Sequence, residues 1–170
     1  CTHCAIGSMP GEYRGTGAAF AAFAKEASTV ARRLQGVNLT FSYHNHSFEL
    51  QKFGDRTGLD ILFEDSDPEV FNMEIDTYWI QHGGGDPAAW VRKAKGRIPL
   101  LHLKDYAIDS ECNITFTEIG SGNLDWEDIT GAARQSGCLW YIVEQDTCPG
   151  NPFDSLKKSL DFIQKNLLCD

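Results

Sequence analysis

No stretch of this chain approaches the roughly 20 consecutive apolar positions of a membrane span, so a membrane partner is not expected. Positive charge is also scarce: 15 Lys and Arg stand against 24 Asp and Glu, a net charge of −9. Phosphate backbones and anionic lipid surfaces are held by basic faces, so nucleic acid is not expected as a partner either. The opening "CTHCAIGSMP" lacks the basic start and apolar middle of a signal peptide. No G-x-G-x-x-G or other phosphate-binding glycine loop follows a strand-like run, which weakens a nucleotide-binding reading. The six cysteines (1, 4, 112, 138, 148 and 169) have no framework rhythm, and "CTHC" has no second pair to complete a four-ligand zinc site. They read as reduced thiols of a cytoplasmic protein.

What is present is an ordinary globular composition, 42% hydrophobic and 23% charged, over 170 residues. That is enough for one domain with a real core. Apolar positions recur at helical spacing in "TGAAFAAFAKEASTVARRLQG", which Gly36 stops. "VNLTFSYH", "EVFNMEID", "IPLLHLKD" and "LWYIVEQD" read as strands, and "THCAIG" is a possible fifth. Between them, "GLDILFEDSD", "DPAAWVRKAKG", "DWEDITGAARQSG" and "DSLKKSLDFIQKNL" read as helices, the last three capped by Asp86, Asp125 and Asp154. Strands alternating with helices imply β/α units and a parallel sheet, either doubly wound or a (β/α)8 barrel.

Strand parity favours the barrel. Alternate strand residues face opposite sides. Leu39, Phe41 and Tyr43 therefore oppose Thr40, Ser42, His44 and His46, and Phe71, Met73 and Ile75 oppose Asn72, Glu74 and Asp76. Leu101 and Leu103 oppose Leu100, His102 and Lys104, while Tyr141 and Val143 oppose Ile142 and Glu144. Each strand has an oily face and a face that turns polar toward its C-terminal end. A sheet covered on both sides would be oily on both. A barrel instead turns the polar face inward at the end where barrel active sites lie. From His44 to Asp76 is 32 positions, to His102 a further 26 and to Glu144 a further 42. A β/α unit takes about 30 residues, so these are successive strand ends with an insertion before the last. Two imidazoles and two carboxylates at one rim suit Mn²⁺, Co²⁺, Fe²⁺ or Zn²⁺.

At "YHNHSFEL", "MEIDTYWIQHGGGDPAAWVRKAKGRIPLLHLKD", "EIGSGNLDW" and "YIVEQD" the chain resembles the xylose-isomerase-like TIM-barrel family of sugar-phosphate isomerases and epimerases, in the AP endonuclease family 2 superfamily. The resemblance implies a (β/α)8 barrel holding one divalent metal, manganese foremost, with magnesium, cobalt, zinc or iron as alternatives. Family members use Glu, Asp, His and Glu as ligands. By resemblance Asp76, His102 and Glu144 take the last three places. The first place departs: His44-Asn45-His46 stands where many relatives carry Glu-x-His, so either His44 or a Glu49 swinging in from the loop would fill it. A barrel takes about 250 residues, so residues 1–170 are expected to be its C-terminal portion, about five β/α units. Either a preceding segment or a partner, such as a second copy, would complete it. Its open edges would be an aggregation hazard.

The expected chemistry is proton transfer through an enediolate on a small sugar, sugar phosphate or keto-polyol, with the metal as Lewis acid. Glu144 or His46 would move the proton, and Lys104 would stabilise oxyanion charge or pair with Glu74 or Glu144. Glu49, Trp79 and His82 would contact substrate. Glu118 and the glycines of "EIGSGNLDW" would shape a turn into the next helix. The "YHNH" branch resembles inosose dehydratases, so water elimination at the same site is the alternative. A metal-dependent endonuclease fits poorly with the acidic charge and few ligands. A non-catalytic remnant that only binds a ligand is a third possibility.

Overall fold

A computed structural model describes residues 1–167. Its elements in chain order are β1 (His3–Ile6), α1 (Gly17–Gln35), β2 (Thr40–His44), β3 (Lys52–Phe53), β4 (Arg56–Thr57), α2 (Gly58–Asp65), β5 (Phe71–Asp76) and α3 (Thr77–His82). They continue as α4 (Pro87–Lys93), β6 (Leu100–Leu103), β7 (Asp105–Ile108), β8 (Ile114–Thr117), α5 (Trp126–Ser136), β9 (Trp140–Val143) and α6 (Pro152–Asn166). β1, β2, β5, β6 and β9 form one parallel sheet in that spatial order, while β3–β4 and β7–β8 are small antiparallel pairs. The order never reverses. A doubly wound sheet would reverse at a switch point; a barrel wall does not. Residues from both edge strands, His3 and Ala5 on one side and Trp140 and Ile142 on the other, line the same open concavity of about 490 Å³. The sheet is therefore curled, a part of a TIM barrel with helices on its convex side.

The oily parity face builds the core. Tyr43, Phe71, Met73, Ile75 and Leu101 are all fully buried. α1 presents Phe20, Phe23, Ala24, Ala27 and Ala31 to them, and Phe23 meets Tyr43 edge-on at 5.8 Å. Each large apolar side chain among these contributes about 1.5–3 kcal/mol of burial. Asp86 and Asp125 cap α4 and α5 as expected. The last helix differs: it starts at Pro152 and Asn151 caps it, not Asp154, because proline suits the first helical position. The short elements were not legible: the β3–β4 pair, α3, a six-residue helix starting directly at the end of β5, and the β7–β8 pair, which is the insertion before the last strand. The five described cysteines are free; Cys169 lies outside the described residues. Among the described residues no helix is long and apolar enough to cross a membrane.

The "EIGSGNLDW" turn has one buried organiser. Asp105 is fully buried, and its carboxylate accepts from the backbone N–H of Tyr106, Gly120 and Gly122 and from the Trp126 indole, at 2.8 to 3.1 Å. A Cβ on Gly122 would sit 2.4 Å from that carboxylate, so glycine is what lets the loop close on Asp105. Glu118, at the start of the turn, accepts from Ser155 and Lys158 of α6.

Candidate metal centre

The register of the sheet assembles the centre. His44 is level with Glu74, Asp76 with His102, and His102 with Ile142, two residues before Glu144. His44, Asp76, His102 and Glu144 thus meet at the C-terminal rim, and one ligand atom from each lies within 4.8 Å of the others. The His102 Nδ1 to Glu144 Oε2 distance is 2.7 Å. Asp76 Oδ2 is 3.7 Å from His44 Nε2 and 3.9 Å from His102 Nδ1. Two side chains hold adjoining rims together beyond the last ladder bonds. Asn45 Oδ1 accepts from the Asp76 backbone N–H at 3.0 Å. The Thr77 hydroxyl donates to the Lys104 carbonyl at 2.8 Å and accepts from the Lys104 N–H at 3.0 Å.

The residues present fit a divalent ion. Asp76 is fully buried; its Oδ1 caps α3 through the Trp79 N–H, but its Oδ2 has no hydrogen-bond partner. Burial pushes the Asp76 carboxyl up to about 6. A buried, acceptor-only atom aimed into a group of nitrogen and oxygen donors is what a cation satisfies. Elsewhere the charges have settled on one another. Burial pulls the His102 ring down, but Glu144 and Glu74 outweigh it and raise it to about 9. The bond to His102 holds Glu144 down to about 2, and the two histidines do the same for Glu74 against the effect of its burial.

Lys104 is almost fully buried. Its ammonium donates to Asp146 at 2.6 Å and lies 3.6 Å from Glu144 and 3.8 Å from Asp76. It also sits 5.2 to 5.9 Å from the Phe116, Trp79 and Tyr78 ring centres, so Asp146 is its closest partner rather than Glu74. His46 lies beside the centre, its ring 5.1 Å from that of His44 and 5.3 Å from Trp79, with Nδ1 unpartnered. Burial, then His44 and Lys104, lower it to about 4, so it is neutral at ordinary pH. His82 packs beside Trp79 at 5.3 Å on the outer side of this wall.

Glu49 does not swing into the centre. It is fully buried, with Oε1 accepting from the Tyr43 hydroxyl at 2.7 Å and Oε2 from the His46 N–H at 2.9 Å. Both oxygens are engaged, so direct contact with a metal or substrate is replaced by a role in fixing the loop that carries His46. Burial lifts its carboxyl to about 7. Three residues at the site were not singled out, Asp146, Phe48 and Phe116, and Glu74 only as a pairing partner of Lys104. Parity carried a signal for Glu74, two before Asp76, and spacing for Asp146, two after Glu144. Phe116 arrives on the β7–β8 insertion and had none.

A family model for the xylose isomerase-like TIM barrel matches residues 1–166. Inosose dehydratase 2 of a Bacillus cereus strain is 28% identical over 150 residues, covering 77% of this chain and 49% of its own length. The inosose dehydratase of Clostridium tetani is 25% identical over 159 residues, covering 84% and 53%. The chain therefore spans about half the length of the curated relatives it matches. A sugar phosphate isomerase/epimerase from Parabacteroides distasonis superposes with a TM-score of 0.84 at 21% identity, over 98% of this chain and 58% of that one. The probable 3-DHS dehydratase AsbF of Bacillus anthracis gives 0.72 at 12% identity, over 97% and 64%. The curled parallel sheet, the rim it builds and the match along nearly the whole chain place this protein in the xylose isomerase-like TIM-barrel family.

Proposed function

We propose that the rim binds one divalent metal, manganese foremost, through His44, Asp76, His102 and Glu144, and moves a proton next to the carbonyl of a small sugar or keto-polyol. The observation that carries this reading is the four-donor group with the orphaned, buried Asp76 oxygen at its centre. A bound ion would supply Lewis acidity to substrate oxygens. Glu144 is the proton acceptor. Its side chain is 41% exposed, so substrate can reach it. Lys104 places a positive charge over the aromatic floor, where it stabilises developing oxyanion charge. His46, Trp79 and His82 shape the wall against which the substrate lies.

Within this reading, loss of water is favoured over isomerisation or epimerisation. Return of the proton to the other face of the carbon wants a second base at the rim. The first ligand position holds His44, not a glutamate, and Glu49 is locked away, which leaves Glu144 as the exposed carboxylate among the ligands and the neutral His46 as the remaining base beside them. Elimination needs one base and one acid: Glu144 takes the carbon-bound proton, and Lys104 gives a proton to the departing hydroxyl. The curated relatives, named as inosose dehydratases, support the same choice. The proposal also takes residues 1–170 as the C-terminal portion of a barrel, whose open edges at β1 and β9 accept further β/α units. The 58% share of the Parabacteroides chain that is matched supports this.

The test is incubation of Mn²⁺-loaded protein with a keto-inositol in D2O. Dehydration yields a UV-absorbing enolic dione. Isomerisation instead yields recovered sugar carrying deuterium. Metal uptake with neither product, over a panel of keto-polyols and sugar phosphates, would sink the enzymatic reading.

A further inference from the structure

Each histidine of the centre has two ring nitrogens, and the pair turned away from the ligand cluster faces one residue. Glu74 Oε1 is 3.1 Å from His102 Nε2, and Glu74 Oε2 is 3.6 Å from His44 Nδ1. The other nitrogens, His102 Nδ1 and His44 Nε2, are those nearest Asp76 and Glu144. The sheet register causes this. Glu74 stands directly beside His44 in the ladder and two residues below Asp76, which stands beside His102. Its side chain points to the same concave face, one layer beneath the ligands, and is 5% exposed. An ionised carboxylate can only accept, and it has two oxygens.

We propose that Glu74 is a positioning residue that fixes both ligand histidines at once, in opposite tautomers. His44 carries its proton on Nδ1 and offers Nε2 to the metal. His102 carries its proton on Nε2 and offers Nδ1. A metal-ligating histidine ordinarily has a carboxylate or carbonyl of its own behind it; here one carboxylate serves two rings. The arrangement also accounts for the first ligand position. A glutamate there would need no partner behind it, whereas His44 does, and Glu74 is the residue the ladder puts in reach. The 3.6 Å separation at His44 exceeds a hydrogen bond.

This inference rests on the metal reading above, and its test separates the two. Zn²⁺ is titrated into wild type and Glu74→Gln, and ring tautomers are read by ¹⁵N–¹H correlation in the diamagnetic Zn²⁺ form. The expected results are Nδ1–H on His44 and Nε2–H on His102, and a roughly 10- to 100-fold weaker Zn²⁺ affinity in Glu74→Gln. Glutamine has one acceptor oxygen and can serve only one of the rings, so one of the two tautomer signatures should be lost. No Zn²⁺ binding by wild type would remove the metal reading itself. Wild-type binding with the reversed tautomers, or with unchanged affinity in Glu74→Gln, would overturn the role of Glu74 alone. A loss as complete as in His102→Ala would also overturn it, by making Glu74 a ligand.

Discussion

Asp76 and Asp105 are both fully buried, both stand at the C-terminal end of the sheet, and they are treated in opposite ways. Asp105 is saturated. Four N–H donors at 2.8 to 3.1 Å share its two oxygens, and the loop around it closes only because residue 122 is glycine. Asp76 is left open. One oxygen caps a six-residue helix, while the other faces two imidazoles and an ammonium, all 3.7 to 3.9 Å away. An unpaired buried charge costs several kcal/mol unless something satisfies it. A carboxylate spent on stability looks like Asp105. One kept for a ligand looks like Asp76.

Substitution should separate the two. Asp76→Asn removes a ligand but keeps the helix cap. We expect Zn²⁺ or Mn²⁺ affinity to fall at least about a thousandfold, ~4 kcal/mol, in a calorimetric titration. The metal-free protein should unfold at the same denaturant concentration as wild type or a higher one, because an uncompensated buried charge is gone. A clear drop in metal-free stability would place Asp76 with Asp105 as a structural group. Asp105→Ala should do the reverse. Stranding several buried donors costs on the order of 3 kcal/mol, visible as a lower urea midpoint, while the folded protein keeps its metal affinity within a few fold.

The contrast extends to pH. Folding raises His102 to about 9, above its ordinary value of about 6.5. Its contribution to metal-free stability is therefore complete below about pH 6.5 and is lost as pH climbs through 9. Asp76 and Glu49, raised to about 6 and 7, lose theirs in the same direction at lower pH. Glu74 and Glu144, held near 2, lose theirs only in acid, below their ordinary value of about 4.5. Thermal melting in EDTA should thus show stability declining between about pH 6.5 and 9, on the order of 3 kcal/mol. With metal present the trend should invert, because the ion competes with the His102 proton and binds more tightly as pH rises. Parallel profiles with and without metal would mean that His102 is not a ligand.

How far the sequence disclosed this follows from what parity can carry. Alternation along a strand reports which face a side chain joins, so His44, Asp76, His102 and Glu144 were legible together. It does not report which neighbour a side chain meets. The pairing of Glu74 with two rings depends on register between strands, and the engagement of Glu49 depends on the Tyr43 hydroxyl, which belongs to the opposite, oily face. Asp105 could not be recognised either, since its donors other than the adjacent Tyr106 N–H lie 15 to 21 residues ahead. α3 is too short for a helical period, and the β7–β8 turn, with Cys112 at φ 65, carries none of the Asn-Gly or Asp-Gly chemistry that announces a hairpin.

The smallest expected effect lies where neither aspartate reaches. Along β9 and α6 the protein exposes Leu139, Trp140, Phe153, Leu156 and Leu160, the last at 50%. Leu139, Trp140 and Leu160 line a groove with Leu103, Val143 and Ile163. An apolar surface of this kind marks an interaction face, and its side chains contribute little to the isolated fold. Leu160→Lys should therefore change unfolding free energy by no more than about 0.5 kcal/mol and leave metal affinity untouched. Its effect should appear in sedimentation, as reduced self-association at high protein concentration. A loss of several kcal/mol would instead make Leu160 part of the core, and the open flank would then be stabilised from within, as Asp105 stabilises its loop.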